Sequence, residues 1–417
     1  MSVLSPKPLM YQNTLFYTLL RLYIRFWHNR VFYRKVEVKN FPTHLASDVP
    51  LMIVSNHQNT LMDALAVVLN VGQRQPYFLT RADIFKKKWL RKLLLMLKML
   101  PVYRLRDGLD EMQQNDEIFR ACVAILSNGG TLAAFPEGNH GVQYHLRPFK
   151  KGLARIALRA EAEHQWQLGL QILPCGLYYT HCRKMGERLV LNFGTPFVAT
   201  DFREVSEQNL PRALTLLTRR MADDIRALML HFEDLSHHDT LKWLTDLEIH
   251  QPGDMLTNVL QKATQLEALR RQSPDFYNEK LANASLKRQQ YETQNLPAEI
   301  VGHPPKGNVW ILMNVLGLLV STPVALYGWV NSVLPFSLPL LITRRLKDPQ
   351  FSSAIRVVLY ALVTFPIFWT VQIVLVGIAA HTTTALLYAL SLPPTGYLAH
   401  RWARWYHKIK GVWQIMP

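Results

Sequence analysis

The chain has 417 residues, 49% hydrophobic and only 18% charged, a composition that excludes a disordered protein and allows one large domain with a further part. Lys and Arg outnumber Asp and Glu by 47 to 30, for a net charge of +17, which suits anionic lipid headgroups, phosphorylated small molecules or nucleic acid. No zinc-finger, helix-turn-helix or RNA-recognition signature occurs, so no nucleic-acid partner is expected, and Cys122, Cys175 and Cys182 without CxxC spacing read as reduced, cytosol-facing thiols.

The N-terminus lacks the layout of a signal peptide. From Tyr11 to Arg30 the polar residues Thr14, Thr18, Arg21, Arg25 and His28 recur at steps of four and three. Leu15, Phe16, Leu19, Leu20, Tyr23, Phe26 and Trp27 fill the other faces. This pattern predicts an amphipathic helix lying in a bilayer interface or packed on its own domain. Residues 1–35 are assigned to it.

Residues 36–200 alternate short apolar runs with amphipathic stretches. Strands are expected at Leu51–Ser55, Tyr77–Thr80, Thr131–Phe135, Gln171–Leu177 and Leu189–Phe193. Helices are expected at Leu61–Asn70, Trp89–Leu97, Leu109–Ser127 and Gly152–Glu163. The alternation predicts an α/β layered domain with a largely parallel central sheet.

Residues 201–300 read as polar, amphipathic helix interrupted at Pro211, Pro252-Gly253 and Pro274, with two to four helices and then a linker. His237-His238-Asp239 is expected to be a solvated turn, because adjacent helical histidines point about 100° apart. Residues 301–417 hold two stretches without Asp, Glu, Lys or Arg, Val309–Thr343 and Val357–Ala399. A single span takes about 20 residues. Each stretch therefore suits a helical hairpin, with turns near Pro335 and His381. Arg344, Arg345, Lys347, Arg401, Arg404, Lys408 and Lys410 flank them, which predicts an integral membrane protein with the α/β domain in the cytoplasm, a bacterial inner membrane being favoured.

Four groups of residues carry candidate chemistry. Asn56-His57, with Asp63 six positions on, follows an apolar strand and opens a helix, where an α/β enzyme places its site. A histidine oriented by a carboxylate is a general base toward a hydroxyl. Phe135-Pro136-Glu137-Gly138-Asn139-His140 follows a second strand, and its glycine permits close approach of backbone to ligand. Arg104 follows an extended run, and Arg147 and Lys150 precede a helix start, as in phosphate sites.

In their order these groups resemble the glycerophospholipid acyltransferase superfamily of glycerol-3-phosphate and 1-acylglycerol-3-phosphate acyltransferases. The matching blocks are Asn56-His57…Asp63, Pro101-Val102-Tyr103-Arg104, Phe135-Pro136-Glu137-Gly138 and Ile172-Leu173-Pro174, within Leu51 to Pro196. The resemblance implies transfer of a fatty acyl group from acyl-CoA or acyl-carrier protein to the hydroxyl of glycerol-3-phosphate or 1-acylglycerol-3-phosphate in phospholipid synthesis. His57 and Asp63 would be catalytic. Asn56, Arg104, Glu137, Gly138, His140, Arg147 and Lys150 would bind substrate, and backbone N–H groups near the first block would hold the oxyanion. The implied partners are membrane lipids, the glycerol-phosphate acceptor and the thioester donor, with no metal and no cofactor beyond that co-substrate. Another lysolipid acceptor, a transacylase, or a non-catalytic lipid-binding protein of the same fold are the alternatives.

Two departures from the family pattern matter. Five residues separate His57 from Asp63 where four are usual, as in a subset that includes fungal glycerol-3-phosphate/dihydroxyacetone-phosphate acyltransferases. Six helical steps turn side chains about 240° apart, so Asp63 reaches His57 only if the loop absorbs the extra residue. The usual arginine after Phe-Pro-Glu-Gly-Thr is His140 here, which leaves His140, Arg147 and Lys150 as alternative phosphate contacts.

Overall fold

Parallel strands covered on both faces need unbroken apolar runs, and Leu51–Ser55 is such a run, buried at every position. In the computed structural model, which describes residues 15–102, 109–294, 296, 298–302 and 307–415, it lies inside an eight-stranded sheet. The strands are β1 (Lys35–Lys39), β2 (Leu51–Ser55), β3 (Tyr77–Arg81), β4 (Met99–Val102), β5 (Thr131–Ala134), β6 (Gln171–Tyr179), β7 (Arg188–Phe193) and β8 (Phe197–Val198). Their order is β1-β7-β6-β2-β5-β3-β4, with β8 beside β6. Strand β2 runs parallel to β5 and β6, whereas β7 and β8 run antiparallel to β6. The fold is mixed α/β with a mostly parallel central sheet, as expected.

Successive residues of β2 feed opposite faces. Met52 and Val54 join Leu132, Ile172 and the helices Leu109–Ser127, Gly152–Glu163 and Leu210–Leu228. Leu51 and Ile53 join Met62, Val67, Phe32 and Tyr33, together with Ala354, Val357 and Tyr360 of the apolar C-terminal part. The C-terminal helices thus share a core with the α/β sheet.

Several expectations need correction. Strands β1 and β8 were not anticipated, and β4 only as a short extended run before Arg104, all three being short and peripheral. Residues 203–293 form five helices among the described residues rather than two to four. The helix Leu210–Leu228, capped by Asn209, whose side chain accepts from Arg212 N, lies on the sheet rather than in a separate region. The expected boundary at residue 200 therefore does not divide the cores. A third apolar cluster holds Leu241, Leu256, Leu266, Tyr277 and Leu281 together against Tyr178 and Val190.

Among the described residues, two helical segments are long and apolar enough to cross a membrane, Val309–Thr343 and Pro349–Ala379. The first stretch was expected as a hairpin, and backbone helix runs without a break over Asn308–Thr343. Its contacts nonetheless reverse. Asn314 and Tyr327 bond Trp405 and Ser391, an antiparallel pairing with the helix Thr382–Ile415. Continuing straight, Phe336 would pass the start of that helix, yet its ring lies 5.3 Å from both His400 and Tyr360. Pro335 is the cause: a proline cannot donate to the carbonyl four residues before it and kinks the helix. That carbonyl, on Asn331, accepts instead from Gln372 Nε2 at 3.1 Å. The second expected turn is a true break, between Ala379 and Thr382.

Gly176 of β6 marks where the helix Leu210–Leu228 meets the sheet: a Cβ there would lie 2.5 Å from Leu228 O. Backbone cannot yield as a side chain does. Gly176→Ala is expected to destabilise the α/β domain by about 1–3 kcal/mol, read as a lowered thermal midpoint of the full chain in detergent. An unchanged midpoint would contradict the close packing.

Candidate active site

The turn from β2 into the helix Leu61–Asn70 is built around one carboxylate. Asp63, with its side chain wholly buried, accepts from His57 Nδ1 at 2.8 Å, from Gln58 N at 2.8 Å and from Asn59 N at 2.7 Å. Its other oxygen accepts from Tyr179 OH at 2.6 Å. The extra residue between His57 and Asp63 is absorbed before the helix begins, at Thr60, whose φ of 48° is rare for a β-branched residue. The loop coils back over the carboxylate instead of presenting His57 on the helix.

An oxygen already holding two backbone N–H groups can only accept from the imidazole. Nδ1 therefore carries the proton, and Nε2 keeps a lone pair. Burial, with the neighbouring Asp63 carboxylate, holds the Tyr179 phenol protonated well above its ordinary range, so it stays a donor. The His57 ring stacks on Phe135 at 4.3 Å and 5°, and its side chain remains 17% exposed. An oriented, partly open Nε2 results.

Glu137 organises the second turn in the same way. One oxygen accepts from His57 N at 2.6 Å, and the other from Arg147 N at 3.1 Å and the Arg147 guanidinium at 2.8 Å. Burial pushes the Glu137 carboxyl up, against the opposing pull of Arg147. Arg147 also donates to His57 O at 2.5 Å and to Asn139 O at 2.8 Å. Gly138, at φ 72°, supplies the left-handed position this turn needs.

The expected substrate-binding residues are thus divided. Asn56 is not open to a ligand: its side chain exchanges two hydrogen bonds with Leu177, at 2.7 and 3.1 Å, like a strand partner. Glu137 is spent on His57 N and Arg147, and Arg147 Nη2 on Glu137 and two carbonyls, while its buried Nε has no partner among the described residues. His140 stands edge-on to His57 at 5.6 Å, and its Nε2 donates to Asp348 at 3.2 Å. Burial lowers the His140 pKa, with the Asp348 bond opposing. Lys150 is exposed beside Gly138, with no ion pair among the described residues. Arg104 lies outside the described residues.

Backbone donors in the first turn are also accounted for. The N–H groups of His57, Gln58 and Asn59 go to Glu137 and Asp63, so these three cannot hold an oxyanion as expected. Other contributors were not visible in the sequence. Tyr179 sits 116 positions from Asp63, and Gln350 O accepts from Thr60 Oγ1 at 3.2 Å across 290 positions. Both belong to apolar stretches or linkers without a motif of their own. The thiol nearest the site, Cys182, is pushed up to about 12 by burial and is not a nucleophile at neutral pH.

Two histidine clusters lie elsewhere. His238 was expected in a solvated turn, but its Nε2 accepts from Tyr144 N at 3.0 Å and its ring stacks on Tyr144. His145, His231 and Glu233 approach one another as metal ligands would. However, His231 Nδ1 accepts from Leu146 N, so its Nε2 carries the proton and donates to Glu233 at 3.0 Å. No lone pair remains there for a cation.

Residues 33–178 match the family model described as Acyltransferase. The chain is 34% identical over 104 residues to an uncharacterized acyltransferase of Schizosaccharomyces pombe, covering 25% of this chain and 15% of that protein. It is 29% identical over 132 residues to glycerol-3-phosphate O-acyltransferase 2 of Saccharomyces cerevisiae, covering 31% and 17%. Identity is again 29%, over 161 residues, with a chloroplastic 1-acyl-sn-glycerol-3-phosphate acyltransferase of Brassica napus, covering 38% and 42%. The matches thus span between 15% and 42% of these relatives' own length. Among solved structures, the 1-acyl-sn-glycerophosphate acyltransferase PlsC of Thermotoga maritima aligns with a TM-score of 0.36 and 21% identity, over 51% of this chain and 81% of that one. The likeness to acyltransferases thus lies in residues 33–178, the part that holds β2, β5 and the two turns of the site.

Proposed function

We propose that this chain is a membrane-bound O-acyltransferase that moves a fatty acyl group from acyl-CoA or acyl-carrier protein to the hydroxyl of glycerol-3-phosphate or 1-acylglycerol-3-phosphate. The observation that carries the reading is the Asp63–His57 pair, which leaves Nε2 as an acceptor at the mouth of the site. The acceptor's proton passes to Nε2 as its oxygen bonds the thioester carbonyl carbon. The C–S bond then breaks, and the proton moves from His57 to the departing thiolate. No covalent enzyme intermediate is needed, in keeping with the un-ionised buried Cys182.

Membrane attachment is supported by the apolar helices and by what flanks them. The segment between them reaches His140 through Asp348, and Arg404 lies against Gly186 of the α/β domain. Arg344, Arg345, Lys347 and the basic C-terminal stretch therefore share a side with the catalytic domain. By the positive-inside tendency that side is cytoplasmic.

A second reading concerns the acceptor. His140 replaces the family's arginine and is already bonded to Asp348, while Arg147 is locked by Glu137. Among the described residues of the motif blocks, Lys150 is then the cation left for a phosphomonoester, and a lysolipid with a phosphodiester headgroup fits a site of weaker positive charge.

The deciding experiment offers labelled palmitoyl-CoA with glycerol-3-phosphate, 1-acylglycerol-3-phosphate and lysophosphatidylcholine in turn. Transfer to one of the first two is expected, falling by about 10²–10⁴-fold in His57→Ala. Transfer unaffected by that substitution would remove His57 from the chemistry, and transfer to lysophosphatidylcholine alone would select the second reading.

Asp63→Asn, which cannot fix the same tautomer, is expected to lower kcat by ~10²-fold or more with KM little changed. Tyr179→Phe removes one of the four donors on Asp63 and should cost about 1.5–3 kcal/mol of stability, measured by thermal unfolding, while activity persists. Equal kcat in wild type and Asp63→Asn would contradict the orienting role. Lys150→Ala should raise KM for a phosphomonoester acceptor about 10-fold at unchanged kcat. An unchanged KM would place the phosphate elsewhere.

A further inference from the structure

Strand β3 runs parallel to β5, and β5 to β2, so β3 ends at the sheet edge that carries His57. The chain leaving that end forms the helix Lys88–Met96, in which no residue is buried. Trp89, 66% exposed, lies on one helical face with the exposed Leu93 and Met96. Five cations, Lys86, Lys87, Lys88, Arg91 and Lys92, surround this stripe, and no acidic residue occurs between Asp83 and Asp107. A short helix with its apolar stripe in water lacks the packing that ordinarily stabilises it.

The stripe has an apolar neighbour. Lys98, just past the helix, lies over the Tyr17 ring at 5.4 Å. Tyr17 belongs to the helix Leu15–Phe26, where Leu15, Phe16, Leu19, Leu22 and Phe26 are exposed. That helix in turn reaches the apolar C-terminal part, with Tyr23 OH donating to Ala361 O at 2.6 Å and Trp27 packed on Phe365.

We propose that Lys86–Met96 is a membrane-docking element that seats on an anionic lipid surface. Trp89, Leu93 and Met96 enter the boundary between headgroups and acyl chains, and the surrounding lysines meet lipid phosphates. The element holds the His57 edge of the sheet against the bilayer, where acyl and lysolipid substrates reside. The cations together with a Trp/Leu/Met stripe, next to helices with exposed apolar faces, select a lipid surface over a protein groove. The inference rests on the membrane reading above.

The test uses the full chain in nanodiscs. Its three native cysteines are buried, so a cysteine placed by Trp89→Cys takes an environment-sensitive fluorophore selectively. Leu93→Cys serves if the first variant fails to fold. Discs contain phosphatidylcholine alone or with phosphatidylglycerol, each doped with a doxyl-lipid quencher. The label is expected to be quenched in the anionic discs. Quenching should fall ~2-fold or more without phosphatidylglycerol or in Lys86→Glu/Lys87→Glu/Lys88→Glu. A label from Gln208→Cys, at the opposite sheet edge beyond β8, should stay unquenched.

A label from Leu390→Cys reports the apolar helices separately. Quenching at 390 but not at 89 in anionic discs overturns the docking proposal alone. Quenching at neither overturns the membrane reading itself. Equal quenching in both lipids, unmoved by charge reversal, overturns the anionic-surface assignment.

Discussion

A buried carboxylate must be matched by donors, and the whole turn from β2 into the helix Leu61–Asn70 is arranged to match one. Asp63 collects two backbone N–H groups, an imidazole and a phenol. Charge-assisted bonds of this kind are about twice as strong as neutral ones, and leaving any donor out would expose the desolvation cost of the charge. The backbone pays by holding Thr60 at a positive φ. The placing of His57 follows: its tautomer, its stacking on Phe135, and the direction of Nε2. Tyr179 extends the constraint to β6, so the His57 imidazole is fixed to the centre of the sheet.

Glu137 repeats the logic one strand away. Its oxygens hold the amide of His57 and both the amide and guanidinium of Arg147, and Arg147 returns to His57 O. The turns after β2 and β5 are therefore a single hydrogen-bonded unit. That assigns the second carboxylate a positioning role, since neither oxygen is free to meet an acceptor in this arrangement. It also explains why Nη2 of Arg147 is a poor candidate for phosphate, despite its place before a helix start.

Much of the fold was legible because local patterns dictated it. The runs Leu51–Ser55 and Thr131–Phe135 read as strands, the second one residue longer than observed, and Leu61–Asn70 and Gly152–Glu163 read as helices at the observed bounds. The short strands β1, β4 and β8 carried too few residues to show a period. Within the site, the residue types of the motif were legible but their partners were not. Asn56 looks like a ligand-facing amide until Leu177, 121 positions away, is placed beside it. Asp348 lies in the loop between apolar helices and acquires meaning only through His140. The helix Leu210–Leu228 read as part of a separate region because amphipathicity says that one face is covered, not by what.

The same limit bears on the N-terminal helix, whose polar stripe would ordinarily face water. Here Arg21 donates to the carbonyls of Arg74 and Gly72, and His28 is fully buried, so part of that stripe faces the domain. The large apolar residues of the opposite side are the exposed ones. Such inversion costs free energy in water, because each exposed Leu or Phe forgoes roughly 1.5–3 kcal/mol of burial. It becomes favourable where the surroundings are apolar. Periodicity alone left interface and core equally open for this helix. The direction of Arg21 bears on the choice, since a guanidinium satisfied by the protein's own carbonyls leaves the leucines and phenylalanines on the exposed face.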